Sequence, residues 1–173
     1  MSNTRYVSDP HHTFVTFGVR HFGCSTVKAR FDGVAGTVDF DRAARTGTAD
    51  ITIETTSVDS GTPYFNAHLC SPDFLDVIKF PTAHFVGKRV TFKGEAPATI
   101  EGELTLKGQT HPVTLACTHF AVYDNPLHKA EVLGGDFETT LKRSQWGVNW
   151  GLEMGVPDDV HLDIQIEAVK QPA

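Results

Sequence analysis

Nine histidines and three cysteines are the side chains of this 173-residue sequence with the widest chemical reach. His68 and Cys70 stand two residues apart, and His21, His84 and His119 lie beside apolar runs. A general base or an activated thiol is therefore the first chemistry to weigh. Nothing in the spacing brings a nucleophile, a base and an orienting carboxylate together, and a histidine beside an apolar strand run is more often a structural hydrogen-bonding residue. His11 and His12 invite a metal, but adjacent strand residues face opposite sides and chelate poorly. Cys24, Cys70 and Cys117 are odd in number and form no CxxC, so neither a complete disulfide framework nor a structural zinc site is expected. The chemistry-bearing residues predict no catalytic centre, no metal and no cofactor.

The elements that carry these residues are strands. A hydrophobic content of 40% and a charged content of 21% are ordinary for a globular chain, and one domain over residues 1–173 is expected. The formal net charge of −6 argues against nucleic acid or an anionic membrane as the main partner, since both select clustered Lys and Arg. No apolar run approaches the ~20 residues of a membrane-spanning helix. The opening "MSNTRYVSDPHH" has no h-region. A cytoplasmic protein and a processed periplasmic one are both compatible with it.

From Thr13, "TFVTFGVRHF" is apolar on both phases. In "ARFDGVAGTVDF" the phase slips: Ala29 and Phe31 are odd, Val34, Val38 and Phe40 even, and Asp32-Gly33 at the switch has the look of a β-bulge. "TADITIETTSV" alternates cleanly through Ala49, Ile51 and Ile53. Five further segments follow: "TAHFVGKRVTF", "ATIEGELTLKG", "HPVTLACTHFAVY", "GDFETTLKRSQWG" and "VHLDIQIEAVK". Ile100, Leu104 and Leu106 share one phase of the second, and Leu162, Ile164 and Ile166 one phase of the last. About eight strands with short turns and no long helical crossover predict an all-β, antiparallel fold. Sequential hairpins favour an up-and-down barrel over a sandwich. At eight strands the interior either fills with side chains or holds one small ligand, and the pattern alone leaves both open. Gly134-Gly135 reads as a turn entering a strand. The letters "GGDFE" that begin there have Phe137 where the diguanylate cyclase signature needs an acid, so that activity is rejected.

"HLCSPDFLDVIKF", from His68 to Phe80, breaks the strand pattern. Ser71 has a capping hydroxyl, Pro72 fits a first helical position and Asp73 suits the positive end of a helix dipole, which predicts a short helix near 71–78 closing one end of the barrel. The pairs Phe65/Leu69 and Phe74/Ile78 are spaced for an apolar stripe.

"DPHHTFVTFGVRHFG", "ARFDGVAGTVDFD", "SVDSG" with "NAHLCSPDFLDVIKFPTAHF", "GELTLKGQTHPVTL" and "KRSQWGV" together resemble, in order and spacing, the YceI-like family, from about Tyr6 to Lys170. The resemblance implies a lipocalin-like barrel with an apolar tunnel holding one isoprenoid chain, such as a ubiquinone tail or a polyprenyl phosphate. It also implies a periplasmic home and makes a homodimer an expectation. Two departures stand out. Phe65-Asn66 replaces an Arg-Asp pair common in the family, which weakens the case for a phosphate head group and favours a neutral head, a quinone or a fatty amide or acid. Ala29 replaces a common Gly.

The inward phase combined with that resemblance gives a lining set of Phe17, Val19, Phe31, Ile51, Ile53, Phe85, Leu104, Leu106, Phe137, Trp146 and Trp150. The lid set is Phe65, Leu69, Phe74, Leu75 and Ile78, and His21, Asn66 and His68 are candidate polar contacts at the mouth. Either indole N–H would need a partner if buried. The expected function is non-enzymatic carriage or storage of a long-chain isoprenoid. The rivals are a fatty acid or amide binder, a structural barrel without ligand, and a His/Cys-dependent enzyme. The loop Tyr123 to Gly135 carries no legible role.

Overall fold

Alternation of apolar and polar residues along each strand gives the sheet one apolar face, and here that face curls until it meets itself. The computed structural model describes residues 3–173. Its strands are β1 (Thr4–Ser8), β2 (Phe14–Arg20), β3 (Thr26–Phe31), β4 (Val34–Asp41), β5 (Thr46–Glu54), β6 (Val58–Asp59), β7 (Thr82–Lys93), β8 (Ala96–Leu106), β9 (Gln109–Asn125), β10 (Ala130–Lys142) and β11 (Asp159–Lys170), with one helix, α1 (Pro63–Cys70). All pairings are antiparallel. The order β1-β4-β5-β7-β8-β9-β10-β11 closes by pairing β1 with β11, a ring of eight strands.

Two interruptions explain why eleven segments make eight staves. β1 pairs with β11 at Ser8 and Ala168, and β2 resumes along the same strand at Phe14 and Gln165. Likewise β1–β4 and β2–β3 are two stretches of one hairpin, broken at Asp32-Gly33. The break carries the predicted phase slip: Phe31 and Val34 are both buried, one on each side of it. The Gly33 N–H donates to Ser57 Oγ at 2.8 Å, and the Gly33 carbonyl accepts from the Glu54 N–H at 2.8 Å, so the freed backbone is satisfied. Further register shifts fall at Asp136/Phe137 on β10 and at two points on β7, adding the bend that closure requires.

Two sequence expectations are corrected. Gly134 and Gly135 lie within β10, paired with Ala121 and Phe120 of β9, not in a turn. A Cβ at Gly134 would come within 2.7 Å of the Ile166 carbonyl. Glycine is there because the neighbouring strand is close, not for its freedom in φ.

The helix runs from Pro63 to Cys70, ahead of the predicted 71–78 span. Pro63 opens it, with the Asn66 N–H donating to the Thr62 carbonyl at 2.9 Å. Pro72 ends it, because the residue before a proline is driven out of the helical region, and Ser71 is extended (φ −71°, ψ 167°). Ser71 therefore closes the C-terminus: its hydroxyl donates to the His68 carbonyl at 2.7 Å and also accepts from the Asp73 N–H at 3.3 Å. The Ser-Pro-Asp signature makes a single turn, which Asp76 stops with φ 49°.

A candidate lipid cavity inside the barrel

Inward side chains of the staves leave a cavity of about 250 Å³. Its wall is drawn from every stave of the ring and is apolar almost throughout, with Arg143 the one charged residue on it among the described residues. One end is stopped by phenylalanines: Phe40 lies 5.6 Å from Phe92 and 5.7 Å from Phe120, centroid to centroid. The other is covered by α1, the turn after it and the segment joining β10 to β11, which bring Leu69, Phe74, Leu75, Trp146 and Val148 to the wall.

The structure brings Phe17, Phe31, Ile51, Ile53, Leu69, Phe74, Leu75, Phe85, Leu104, Leu106, Phe137 and Trp146 to this cavity. Trp146 is only 1% exposed, and its Nε1–H donates to the Leu104 carbonyl at 3.0 Å, the partner a buried indole requires. The other predicted site residues lie elsewhere. Val19 shares the phase of Val15 and Phe17 on β2 but is half-buried and does not line the cavity. Phe65 packs behind Leu69 against the same apolar cluster. Ile78 is 97% exposed: because the left-handed Asp76 breaks the turn, the Phe74/Ile78 stripe never forms, and Val77 packs inward instead.

The predicted polar contacts are committed to other partners. Asn66 Oδ1 accepts from the Ser60 N–H at 2.7 Å and from its hydroxyl at 2.6 Å, while Asn66 Nδ2 donates to Asp59 Oδ1 at 3.0 Å. These bonds hold the loop before α1. His21 is exposed on a short turn, edge-on to Phe22 at 4.7 Å. His68 is a hub outside the cavity: its ring meets Phe74 at 4.7 Å and Trp150 at 4.6 Å, both edge to face, and its Nε2 lies 3.1 Å from Asp73 Oδ2. Trp150 covers Phe74 from the solvent side.

Arg143 was missed. It follows Phe137 and Leu141 on the inward phase of β10, a signal present in the alternation. Its Nε donates to the Pro157 carbonyl at 2.8 Å, Nη1 to those of Val148 and Trp150 at 2.9 and 2.8 Å, and Nη2 to that of Val156 at 3.2 Å. Four of its five N–H groups thus staple the β10–β11 segment over the barrel end. Burial draws the guanidinium pKa down, and Asp158 opposes this. Burial also raises the thiols of Cys70 and Cys117, away from the thiolate that nucleophilic work needs. Among the described residues no helix is long and apolar enough to cross a membrane.

Comparison with known proteins agrees with this geometry. A UPF0312 protein of Shewanella denitrificans is 35% identical over 166 residues, covering 92% of this chain and 83% of the relative. One from Pseudomonas aeruginosa is 34% identical over 164 residues, with the same coverage of 92% and 83%. Among solved structures, Burkholderia cenocepacia BcnA superposes with a TM-score of 0.74 at 24% identity, over 92% of this chain and 98% of that one. A polyisoprenoid binding domain from Saccharophagus degradans, implicated in plant cell wall breakdown, gives a TM-score of 0.69 at 12% identity, over 98% and 99%. The YceI-like domain model matches residues 6–168, and the chain belongs to that family.

Proposed function

We propose that this barrel binds and carries, or stores, a lipid with an isoprenoid tail, without catalysing a reaction on it. The observation that carries the reading is the cavity itself: about 250 Å³ of apolar space inside a closed barrel. An apolar void of ~150 Å³ already admits benzene, so the resting space matches on the order of ten tail carbons, or roughly two isoprene units. At ~0.8 kcal/mol per methylene equivalent, two units contribute about 8 kcal/mol gross, the scale of micromolar binding before the ligand's ordering cost. A third unit adds about 4 kcal/mol and needs more room than the cavity of about 250 Å³ holds.

The head group belongs at the lid end in this reading. Arg143 stands there, and its remaining Nη2 N–H suits a quinone carbonyl, an amide or a phosphate oxygen equally. With Phe65-Asn66 supplying no second cation, a neutral oxygen acceptor is favoured over a phosphate. A fatty acid or amide is the second reading, supported by the modest resting volume.

Tryptophan fluorescence separates the two. A short-chain ubiquinone analogue titrated into the tag-free protein should quench Trp146 saturably, and a saturated fatty amide of equal length should compete less than a prenyl alcohol. Quenching that never saturates would end the carrier reading, and preferential competition by the amide would replace isoprenoid with acyl chain.

A further inference from the structure

A second cluster of chemistry-bearing side chains lies outside the cavity, over the seam where the barrel closes. Between Ser8 and Phe14 the edge of β11 has no paired strand residue, and the crossing chain is held there by other bonds. The Asp9 N–H donates to the Glu167 carbonyl at 2.8 Å, and Thr13 Oγ1 donates to the same oxygen at 3.2 Å. This crossing bends out of strand geometry, so Asp9 and His12 are no longer alternating strand residues. His12 Nδ1 lies 2.9 Å from Asp9 Oδ2 and 4.0 Å from Glu167 Oε2. From the β9–β10 turn, His128 places its Nε2 3.7 Å from that same Asp9 oxygen.

We propose that Asp9, His12 and Glu167, joined by His128, form a site for one divalent transition-metal ion of the zinc class. A tetrahedron with arms of ~2.0–2.1 Å has edges of about 3.3–3.4 Å. The donor atoms of Asp9, His12 and Glu167 already lie within 4.8 Å of one another, while His128 approaches Asp9 alone, at 3.7 Å, and has to swing in to complete the set. Two imidazoles and two carboxylates suit zinc, nickel or copper better than calcium or magnesium, which select oxygen alone. On binding, His12 Nδ1 gives up its proton to solvent and its lone pair goes to the metal.

The core ligands are already oriented. The second oxygen of Asp9, Oδ1, accepts from the His11 N–H at 2.9 Å, and Tyr123 Oη donates to Glu167 Oε2 at 3.3 Å. Such outer partners are what fix ligand direction in metal sites. Asp9 is also buried, whereas His12 and His128 are open enough to receive an ion from solvent. A plain hydrogen-bonded turn would need only Asp9 and His12, and gives no reason for Glu167 to bring a third donor atom within 4.8 Å of both. The other group of this composition, Glu138, His161 and Asp163, is exposed throughout and serves as the control. An ion at the seam would tie the β1–β2 crossing, β11 and the β9–β10 turn together.

The test is calorimetric titration of Zn²⁺ into the tag-free protein, alongside His12→Gln, His128→Gln and His161→Gln, with Co²⁺ absorption as a geometric readout. Expected are one equivalent of Zn²⁺ bound, an intense visible Co²⁺ band of the tetrahedral type, and affinity at least about tenfold weaker in His12→Gln and His128→Gln but unchanged in His161→Gln. His128→Gln should melt like the parent in the absence of metal, so its loss of binding cannot be assigned to misfolding. Absent micromolar binding by the parent, or equal weakening in His161→Gln, would show a hydrogen-bonded turn and adventitious surface histidines only.

Discussion

His68 and Trp150 meet edge to face at 4.6 Å, so the C-terminal turn of α1 and the β10–β11 segment hold each other across the end of the barrel. Neither residue reaches the cavity, yet both press on Phe74, which does. The lid is thus two pieces of chain latched by an aromatic knot.

Trp150→Ala should open that latch without unfolding the barrel. An edge-to-face pair is worth about 0.5–1.5 kcal/mol beyond its buried area, so the global loss should be small. Hydrogen exchange at the Phe74 and Leu75 amides should accelerate while exchange in β8 and β9 stays unchanged. Equal acceleration everywhere would mean that the contact is part of the global core.

Trp146 is the opposite case. Trp146→Phe removes the N–H that satisfies the Leu104 carbonyl and should cost about 1–3 kcal/mol, and Trp146→Ala about 3–5 kcal/mol. Denaturant melts would measure both.

Arg143→Met should be among the most damaging single changes. It leaves the carbonyls of Val148, Trp150, Val156 and Pro157 without their donor, at a cost of several kcal/mol, on the order of 3–5. Limited proteolysis should then cut within the β10–β11 segment first.

Asp158 sets an acid limit on the same segment. Burial pushes its carboxyl upward, but the Ser144 hydroxyl at 2.6 Å and N–H at 2.8 Å outweigh that and hold it below its ordinary 3.8. A group lowered in the folded state stabilises above its unfolded pKa and loses that contribution as pH falls through the folded value. The melting-temperature difference between the parent and Asp158→Asn should be constant above about pH 5 and shrink as pH drops below 4. A difference that grew with acid would reverse the assignment.

Alternation read from the sequence located the barrel well because period-two patterning is written by burial. Ala49, Ile51 and Ile53 on β5, and Leu162, Ile164 and Ile166 on β11, reach the cavity wall as their phase requires. The Asp32-Gly33 slip was legible for the same reason. The lid was only partly legible. Thr62-Pro63 and Ser71-Pro72 carry the same local start signal, and what chooses between them is tertiary: Leu69 and Leu75 are both buried over the barrel end, on either side of the turn. Polar roles were the least legible. His68, Asn66 and His21 have suitable chemistry, but their hydrogen-bond and ring partners are fixed by loops whose paths alternation does not encode. Arg143 was hidden by the habit of placing cations outside, although its phase pointed inward.

Val113→Phe distinguishes a hollow interior from a filled one by stability alone. Val113 is buried and lies on the cavity wall. Overpacking a filled core costs about 1–3 kcal/mol, whereas an open cavity should accept the ring at under about 1 kcal/mol. Chemical denaturation of both proteins decides it.

Native mass spectrometry of the tag-free chain, followed by solvent extraction of whatever it carries, tests the central claim most directly. The account predicts an adduct of one lipid per chain that the extract identifies as isoprenoid, and weaker retention of it in Val113→Phe. A bare chain from every preparation, or an extract that holds no isoprenoid lipid, would contradict it.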